Sequence, residues 1–245
     1  MTVEAIQFLN VTKKYGEFSA VRDLSLKVSP GEIFGFVGPN GAGKTTTIRM
    51  MTGLAIPTTG TLSILGMKYR DDNLQIKQNL GYIPDRPYLY EKLTGREYLE
   101  FIYGIYSMNG NTEGIDHYLS MFDLVPWSGE LIESYSHGMK QRLAFAAALL
   151  HEPKVLVVDE PMVGLDPKGV RLIKELFRDL AKKNVAIFVS THNLEMAEQV
   201  CHNIGIIHEA QLLVCDTIDG LRKQASLPES RLEDIFLRLT NEEIR

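Results

Sequence analysis

Gly38-Pro39-Asn40-Gly41-Ala42-Gly43-Lys44-Thr45-Thr46 (GPNGAGKTT) is the stretch on which the reading of the fold turns. It matches the pattern GxxxxGK[ST] and follows a short apolar run, Ile33–Val37 (IFGFV), that Gly38 and Pro39 terminate. The predicted local structure is a buried strand, a glycine-rich turn and a helix beginning near Gly43. Glycines let the backbone curl so that successive N–H groups face a phosphate chain, and the helix directs its positive dipole end at the same charge. Lys44 adds a positive charge between the terminal phosphates, and Thr45 offers a hydroxyl to a Mg²⁺ ion.

Outward from this turn, Val155–Val158, Ile187–Val189 and Ile204–Ile207 are similar short apolar runs. Interleaved with helical patterns, they predict an α/β fold whose mostly parallel sheet is covered by helices. Val155–Val158 leads directly into Asp159 and Glu160. Beside the glycine-rich turn, Asp159 would hold Mg²⁺ through water and Glu160 would polarise an attacking water as general base. An acidic pair closing an apolar strand is common by itself; the turn at 38–46 in the same chain gives it a functional reading.

Helix starts are legible in their caps. Thr94-Gly95-Arg96-Glu97 is a capping box ahead of Tyr98, Phe101 and Ile102. Asp166-Pro167 opens a helix through about Ala181, with Leu172, Leu176 and Leu180 on one side. Ser230-Arg231-Leu232-Glu233 repeats the capping box before Ile235, Phe236 and Leu239. Residues 85–150 carry long helical patterns and no convincing strand. The expected organisation is therefore an α/β core from 1–84 and 151–220, a helical subdomain inserted at 85–150, and a helical tail at 221–245.

The 245 residues include 26 Lys+Arg against 31 Asp+Glu, a net charge of −5 that weighs against a nucleic-acid partner. Hydrophobic residues at 44% and charged ones at 23%, without a low-complexity tract, exclude intrinsic disorder. No repeat is found with a period of roughly 20 to 50 residues, which excludes solenoids and propellers. The longest apolar stretch, Leu143–Leu150, falls far short of the about 20 residues a membrane-crossing helix needs. Residues 1–10 contain Glu4 and lack a basic segment followed by an apolar run, so no signal peptide and a cytoplasmic location are expected. Cys201 and Cys215 are the only cysteines, belong to no CxxC or Cys/His cluster, and are expected to be reduced core thiols.

Tyr135-Ser136-His137-Gly138-Met139-Lys140-Gln141-Arg142 (YSHGMKQR) opens a helical pattern. A serine and a glycine at a helix N-terminus form either a plain cap or a second phosphate-binding end. The segment resembles the signature of ATP-binding-cassette (ABC) ATPases, LSGGQ followed by a basic residue, Gln and Arg. Serine, second glycine and the KQR tail match; His137 stands at the first glycine and Met139 at the glutamine. Its place between the glycine-rich turn and Asp159-Glu160 is the family's order. Gly164-Leu165-Asp166 looks like the family's D-loop, and Ser190-Thr191-His192 like its switch histidine. Tyr15 in KKYG resembles the aromatic residue that stacks on adenine, and LEDIFLRLT at 232–240 resembles the end of many members. The match extends over essentially the whole chain.

The resemblance implies a P-loop NTPase of ABC type, with an N-terminal antiparallel β subdomain and an inserted α-helical subdomain. It implies an ATPase that converts ATP and water to ADP and phosphate and works as a head-to-tail homodimer, with ATP and Mg²⁺ as cofactors. Gly38, Pro39, Asn40, Gly41, Ala42, Gly43, Lys44, Thr45, Thr46, Tyr15 and Asp166 would belong to the nucleotide site, completed by Ser136 and Gly138 of the opposite chain. Glu160, His192 and Lys44 would carry the chemistry, and Thr45, Asp159 and Asp85 would serve the metal. An integral-membrane permease subunit would dock a short helix near Asp85–Leu93, holding the chain at the inner face of the cell membrane. The YSHGMKQR form and the tail look most like the ATPase subunits of bacterial ABC-2 type exporters. Asp85 departs from the family's usual glutamine: it offers only oxygens, so metal contact is kept and a donor role is lost.

Other classes fit less well. A soluble ABC ATPase acting on ribosomes would normally carry two cassettes. One acting on DNA would place long heptad segments between Lys44 and Ser136. A regulatory, non-hydrolysing subunit sits poorly with Glu160, His192 and Lys44 together, and no NKxD-like motif supports a GTPase.

Overall fold

A computed structural model describes residues 3–68, 74–106, 113–227 and 230–240. Its strands are β1 (Ile6–Tyr15), β2 (Phe18–Val28), β3 (Ile33–Val37), β4 (Thr59–Ile64), β5 (Met67–Lys68), β6 (Leu80–Ile83), β7 (Val155–Asp159), β8 (Ala186–Thr191), β9 (Asn203–His208) and β10 (Gln211–Asp216). Its α-helices are α1 (Lys44–Met51), α2 (Leu74–Gln78), α3 (Gly95–Ile105), α4 (Glu113–Met121), α5 (His137–Leu149), α6 (Pro167–Lys182), α7 (Leu194–Val200), α8 (Ile218–Gln224) and α9 (Leu232–Thr240).

Two sheets form. The larger has the order β10-β9-β3-β8-β7-β6, parallel except at the β10 edge. A parallel sheet is covered on both faces, so its strands read as continuous apolar runs. Every residue of β3, β7 and β8 is indeed buried. The smaller sheet, β2-β1-β4-β5, is antiparallel. In β2, buried Leu24, Leu26 and Val28 alternate with exposed Ser25 and Lys27, the period-two pattern of a sheet with one wet face. Because β3, β6 and β7 run the same way, their carboxyl ends deliver Gly38, Asp85 and Asp159 to one edge of the large sheet, where α/β folds bind ligands.

The core has three parts. The Leu143–Leu150 stretch is the buried body of α5 together with its C-cap, Leu150, joined to α6 through Phe122, Phe145 and Phe177, whose rings lie 6.0 and 6.2 Å apart in succession. Phe8, Phe34, Phe36, Ile48 and Phe188 fill the space between the two sheets and α1, with Phe34 stacked on Phe188 at 5.5 Å. Val37, Ile206, Leu221, Ile235 and Phe236 belong to the third part, beneath α8 and α9. Each such side chain contributes about 1.5 to 3 kcal/mol on burial.

The caps act as their residue types dictate. Glu97 N donates to Thr94 Oγ1 at 3.2 Å while Thr94 N donates to Glu97 Oε2 at 2.8 Å, closing both halves of the box. Asp166 accepts from Gly169 N at 2.8 Å, and α6 runs one residue past Ala181. The C-terminal helix corrects the expectation: α9 begins at Leu232, and Asp234 rather than Glu233 closes its first turn, accepting from Arg231 N at 3.1 Å. The tail expected from residue 221 is preceded by the start of α8 at Ile218, and residues 241–245 lie outside the described ones. Between 85 and 150, the described residues form α3, α4, α5 and two short 3-10 turns, with a single isolated bridge between Thr94 and Leu131.

Cys201 packs against β3 at Gly35, and burial pushes its thiol up to about 12. Cys215 is exposed, because β10 is an edge strand with alternating faces, so only one of the two expected core thiols is in the core.

Candidate functional site

Beyond Val37 the backbone turns through Gly38–Gly43 into α1. Gly43 caps that helix at φ 112, and a β-carbon there would collide with Ala20 O, so no larger residue fits. The turn opens on a cleft of about 320 Å³. From the turn and α1 it receives Asn40, Gly41, Gly43, Lys44, Thr45 and Thr46, and from the ends of β6 and β7 it receives Asp85, Asp159 and Glu160. Pro39 and buried Ala42 shape the turn, Ala42 N donating to Pro39 O at 3.3 Å.

Lys44 is only 6% exposed, and its Nζ donates to Gly38 O at 2.6 Å and Pro39 O at 3.0 Å. Burial pushes its pKa down, opposed by the carboxylates of Glu160 and Asp159. Asp159, 8% exposed, is shifted the other way: burial pushes its carboxyl up, Glu160 and Asp85 add to the effect, and Ser190 and Lys44 oppose it. The oxygens of Thr45, Asp159 and Asp85 are hard donors suited to Mg²⁺, which takes one or two carboxylates and completes its shell from phosphate and water. Among the described residues no group of three His, Cys, Asp or Glu side chains could hold a metal by itself.

Parallel pairing sets Asp159 opposite Ser190, so the next residues, Glu160 and Thr191, also face each other. Glu160, at φ 50, donates its N–H to Ser190 O at 2.8 Å. Its Oε2 accepts from Thr191 Oγ1 at 3.0 Å; its Oε1 accepts from His192 N at 3.0 Å and lies 2.7 Å from His192 Nδ1. The two residues expected to carry proton transfer and γ-phosphate contact are therefore in direct contact, although 32 positions apart.

Other expected residues lie elsewhere. Ser136 caps α5, accepting from Met139 N at 3.3 Å, and neither it nor Gly138 lines the cleft. Asp166 caps α6 and is likewise outside it. Tyr15, 47% exposed, has Lys13 Nζ 4.9 Å from its ring centre and is not part of the cleft lining. Its cross-strand partner Phe18, 65% exposed, does line the cleft, together with Ala20. Sequence reasoning passed over Phe18; the available signal was an aromatic residue just across the Gly16 turn from Tyr15.

A glycine-rich turn at the end of a parallel strand, a buried lysine opening the next helix, and an acidic pair on a neighbouring parallel strand define a P-loop nucleotidase. The ABC transporter family model matches residues 21–163, more than half of the sequence, and the chain belongs to that family. It is 42% identical over 223 residues to the bacitracin transport ATP-binding protein of Bacillus licheniformis, covering 89% of this chain and 72% of that protein. A solved ATP-binding subunit of an ABC transporter superposes with a TM-score of 0.91 at 31% identity, covering 96% of this chain and 99% of the other. A dimeric bacterial ABC transporter cassette superposes at 0.79 with 26% identity, over 87% and 98% of the respective chains. The chain is thus an ATP-binding subunit of ABC transporter type, and an ATPase.

Proposed function

We propose that this chain hydrolyses MgATP in a composite site made by two copies and drives export through a separate integral-membrane permease at the inner face of the cell membrane. The observation that carries the composite site is a separation: Lys44, Thr45, Asp159 and Glu160 share one cleft, while Ser136 and Gly138 stand outside it. Both halves of a site are present in one chain without meeting, so a head-to-tail partner completes each.

In this reading the N–H groups of the 38–46 turn and the end of α1 bind the phosphates. Lys44 exchanges the Gly38 and Pro39 carbonyls for the terminal phosphates, a short move for a side chain already held beneath them. Thr45, Asp159 and Asp85 would hold Mg²⁺, which would supply charge neutralisation at the phosphates. Glu160 accepts the proton of the attacking water, and Thr191 and His192 fix its carboxylate in place. His192 turns its imidazole toward the γ-phosphate. Phe18 and Tyr15 offer an aromatic hairpin tip to the adenine. Partner Ser136 and Gly138 present a second helix N-terminus to the γ-phosphate.

A groove of about 400 Å³ between β6, α3 and α5 supports the permease partner. It is bordered by Pro84, Pro87, Tyr88, Leu89 and Tyr98, and Tyr88 is 94% exposed, an arrangement suited to the apolar face of a short helix. Among the described residues no helix is long and apolar enough to cross a membrane, so spanning falls to another chain. Similarity to a bacitracin transport protein supports a role in transport.

The test is affinity purification of the tagged chain from native membranes in mild detergent, with identification of what co-purifies. A polytopic membrane protein in stoichiometric amount is expected. Ribosomes or DNA without such a protein would leave the ATPase chemistry standing and overturn the transport role.

A further inference from the structure

We infer that His137 is a positioning residue: its imidazole ties the N-terminus of α5 to the loop between Glu160 and α6 within one chain, and this link sets the rate of hydrolysis rather than the affinity for ATP. The inference rests on the proposed role of Glu160 as base.

The geometry is specific. Gly164 lies at φ +76, and a β-carbon added there would collide with the edge of the His137 ring at Cδ2, 2.8 Å from Nε2 and 3.2 Å from Cγ. The neighbouring Gly138 approaches the same residue, since a β-carbon on it would be 3.1 Å from Gly164 O. Two consecutive residues in the first turn of α5 therefore bear on one residue of the loop. Where ABC signatures carry glycine, this chain uses a side chain to make the contact.

The loop passes displacement on because it is braced at both ends. Glu160 N is bonded to Ser190 O, Val163 N donates to Glu160 O at 3.3 Å, Leu165 N donates to Met162 O at 3.3 Å, and Asp166 caps α6. On the other side, α5 is anchored to the segment bordering the apolar groove, since Lys140 Nζ pairs with Glu91 at 2.6 Å. With its body buried, α5 is a close-packed helix that transmits strain rather than absorbing it. Contacts thus run without a gap from Glu91 through Lys140, α5, His137 and Gly164 to Glu160. Contiguity alone does not establish coupling; a double-mutant cycle does.

The experiment measures steady-state ATP hydrolysis by the purified chain carrying His137→Gly, Gly164→Ala, both, or His137→Phe. His137→Gly is expected to lower kcat by about three- to tenfold with KM for ATP unchanged, in the range that coupling positions reach. His137→Phe, which refills the space over Gly164, should restore most of the rate. Gly164→Ala should cost less in the His137→Gly background than in the wild type, because its β-carbon no longer meets a ring. A kcat unchanged by His137→Gly, a loss expressed in KM, or effects of the two substitutions that simply multiply would each overturn the inference. Because His137 is exposed, its variants leave the core intact, and an unchanged thermal midpoint verifies this. A parallel Glu160→Gln variant separates the two claims: retained turnover there refutes the base, whereas lost turnover there with an indifferent His137→Gly refutes the link.

Discussion

Glu160→Gln isolates charge from shape at this site, and its consequences can be worked from three contacts. Glutamine keeps an oxygen at the Oε1 position to receive His192 N and Nδ1, now at 3.0 and 2.7 Å. Its amide nitrogen takes the Oε2 position, where Thr191 Oγ1, at 3.0 Å, turns from donor to acceptor. All three contacts survive, so the fold should change in stability by less than about 0.5 kcal/mol. What is lost is the proton acceptor. General base catalysis contributes about 10² to 10⁴ in rate, equivalent to roughly 2.7 to 5.4 kcal/mol of barrier. Binding moves the other way: with one carboxylate neutralised, the cleft repels phosphate less, and ATP affinity should hold or rise. The variant should thus accumulate as an ATP-bound dimer. Phosphate release at saturating MgATP, nucleotide affinity and molar mass with ATP report the three quantities separately. Turnover within tenfold of wild type would refute the assignment of the base; loss of ATP binding would refute the claim that the charge, not the shape, is what Glu160 supplies.

Asp159→Asn should abolish Mg²⁺-dependent turnover yet raise stability at neutral pH by roughly 0.5 to 2 kcal/mol, the trade expected where a site is kept against its folding interest. Burial holds the Asp159 carboxyl above its ordinary 3.8, so the folded chain holds this proton more tightly than the unfolded one. The stability this lends is complete below 3.8 and is lost as pH rises through the folded value, so the advantage of Asn should appear only above that window in thermal melts across pH. Phe18→Ala should weaken ATP more than Tyr15→Ala does, by about 1 kcal/mol or more, with little effect on kcat. Equal or reversed effects in nucleotide titrations would return the adenine platform to Tyr15.

How much the sequence discloses depends on how locally each feature is determined. The turn at 38–46 and the caps at Thr94 and Asp166 are legible because each is set within a few residues. Strands β3, β7, β8 and β9 are legible because burial on both faces leaves uninterrupted apolar runs. The smaller sheet is not legible in that way. Its strands alternate, its β1–β2 register shifts between Phe8 and Val11, and Asn10 and Asp23 take positive φ, so only the family resemblance suggests it. The Glu160–His192 contact needs the register of β7 on β8, and the His137–Gly164 contact needs the placement of α5 against the loop. No periodicity within either segment encodes them. Phe18 and Tyr15 show the limit at its finest: two aromatics facing each other across a turn, of which only the fold tells which one borders the cleft.

The charge of the cleft bears on the proposal that two chains share each nucleotide. Among the described residues, Asp85, Asp159 and Glu160 line it against one cation, Lys44, so an arriving polyphosphate meets an excess of negative charge. At about 6 Å and an effective dielectric near 20, each uncompensated pair costs about 3 kcal/mol. The N-terminal end of α1 offsets only part of this, being equivalent to about half a charge. A divalent ion bound with the nucleotide offsets the remainder of the lining's charge, which accounts for an acidic lining around a site meant for an anion. In the proposed head-to-tail pair, the nucleotide's own negative charge would be met in part by the partner's α5, a positive helix end with no acidic residue in its first turn. On the proposed pairing ATP would join two chains because its γ-phosphate meets a positive helix end from each, and hydrolysis would release them because the group that both ends held has gone.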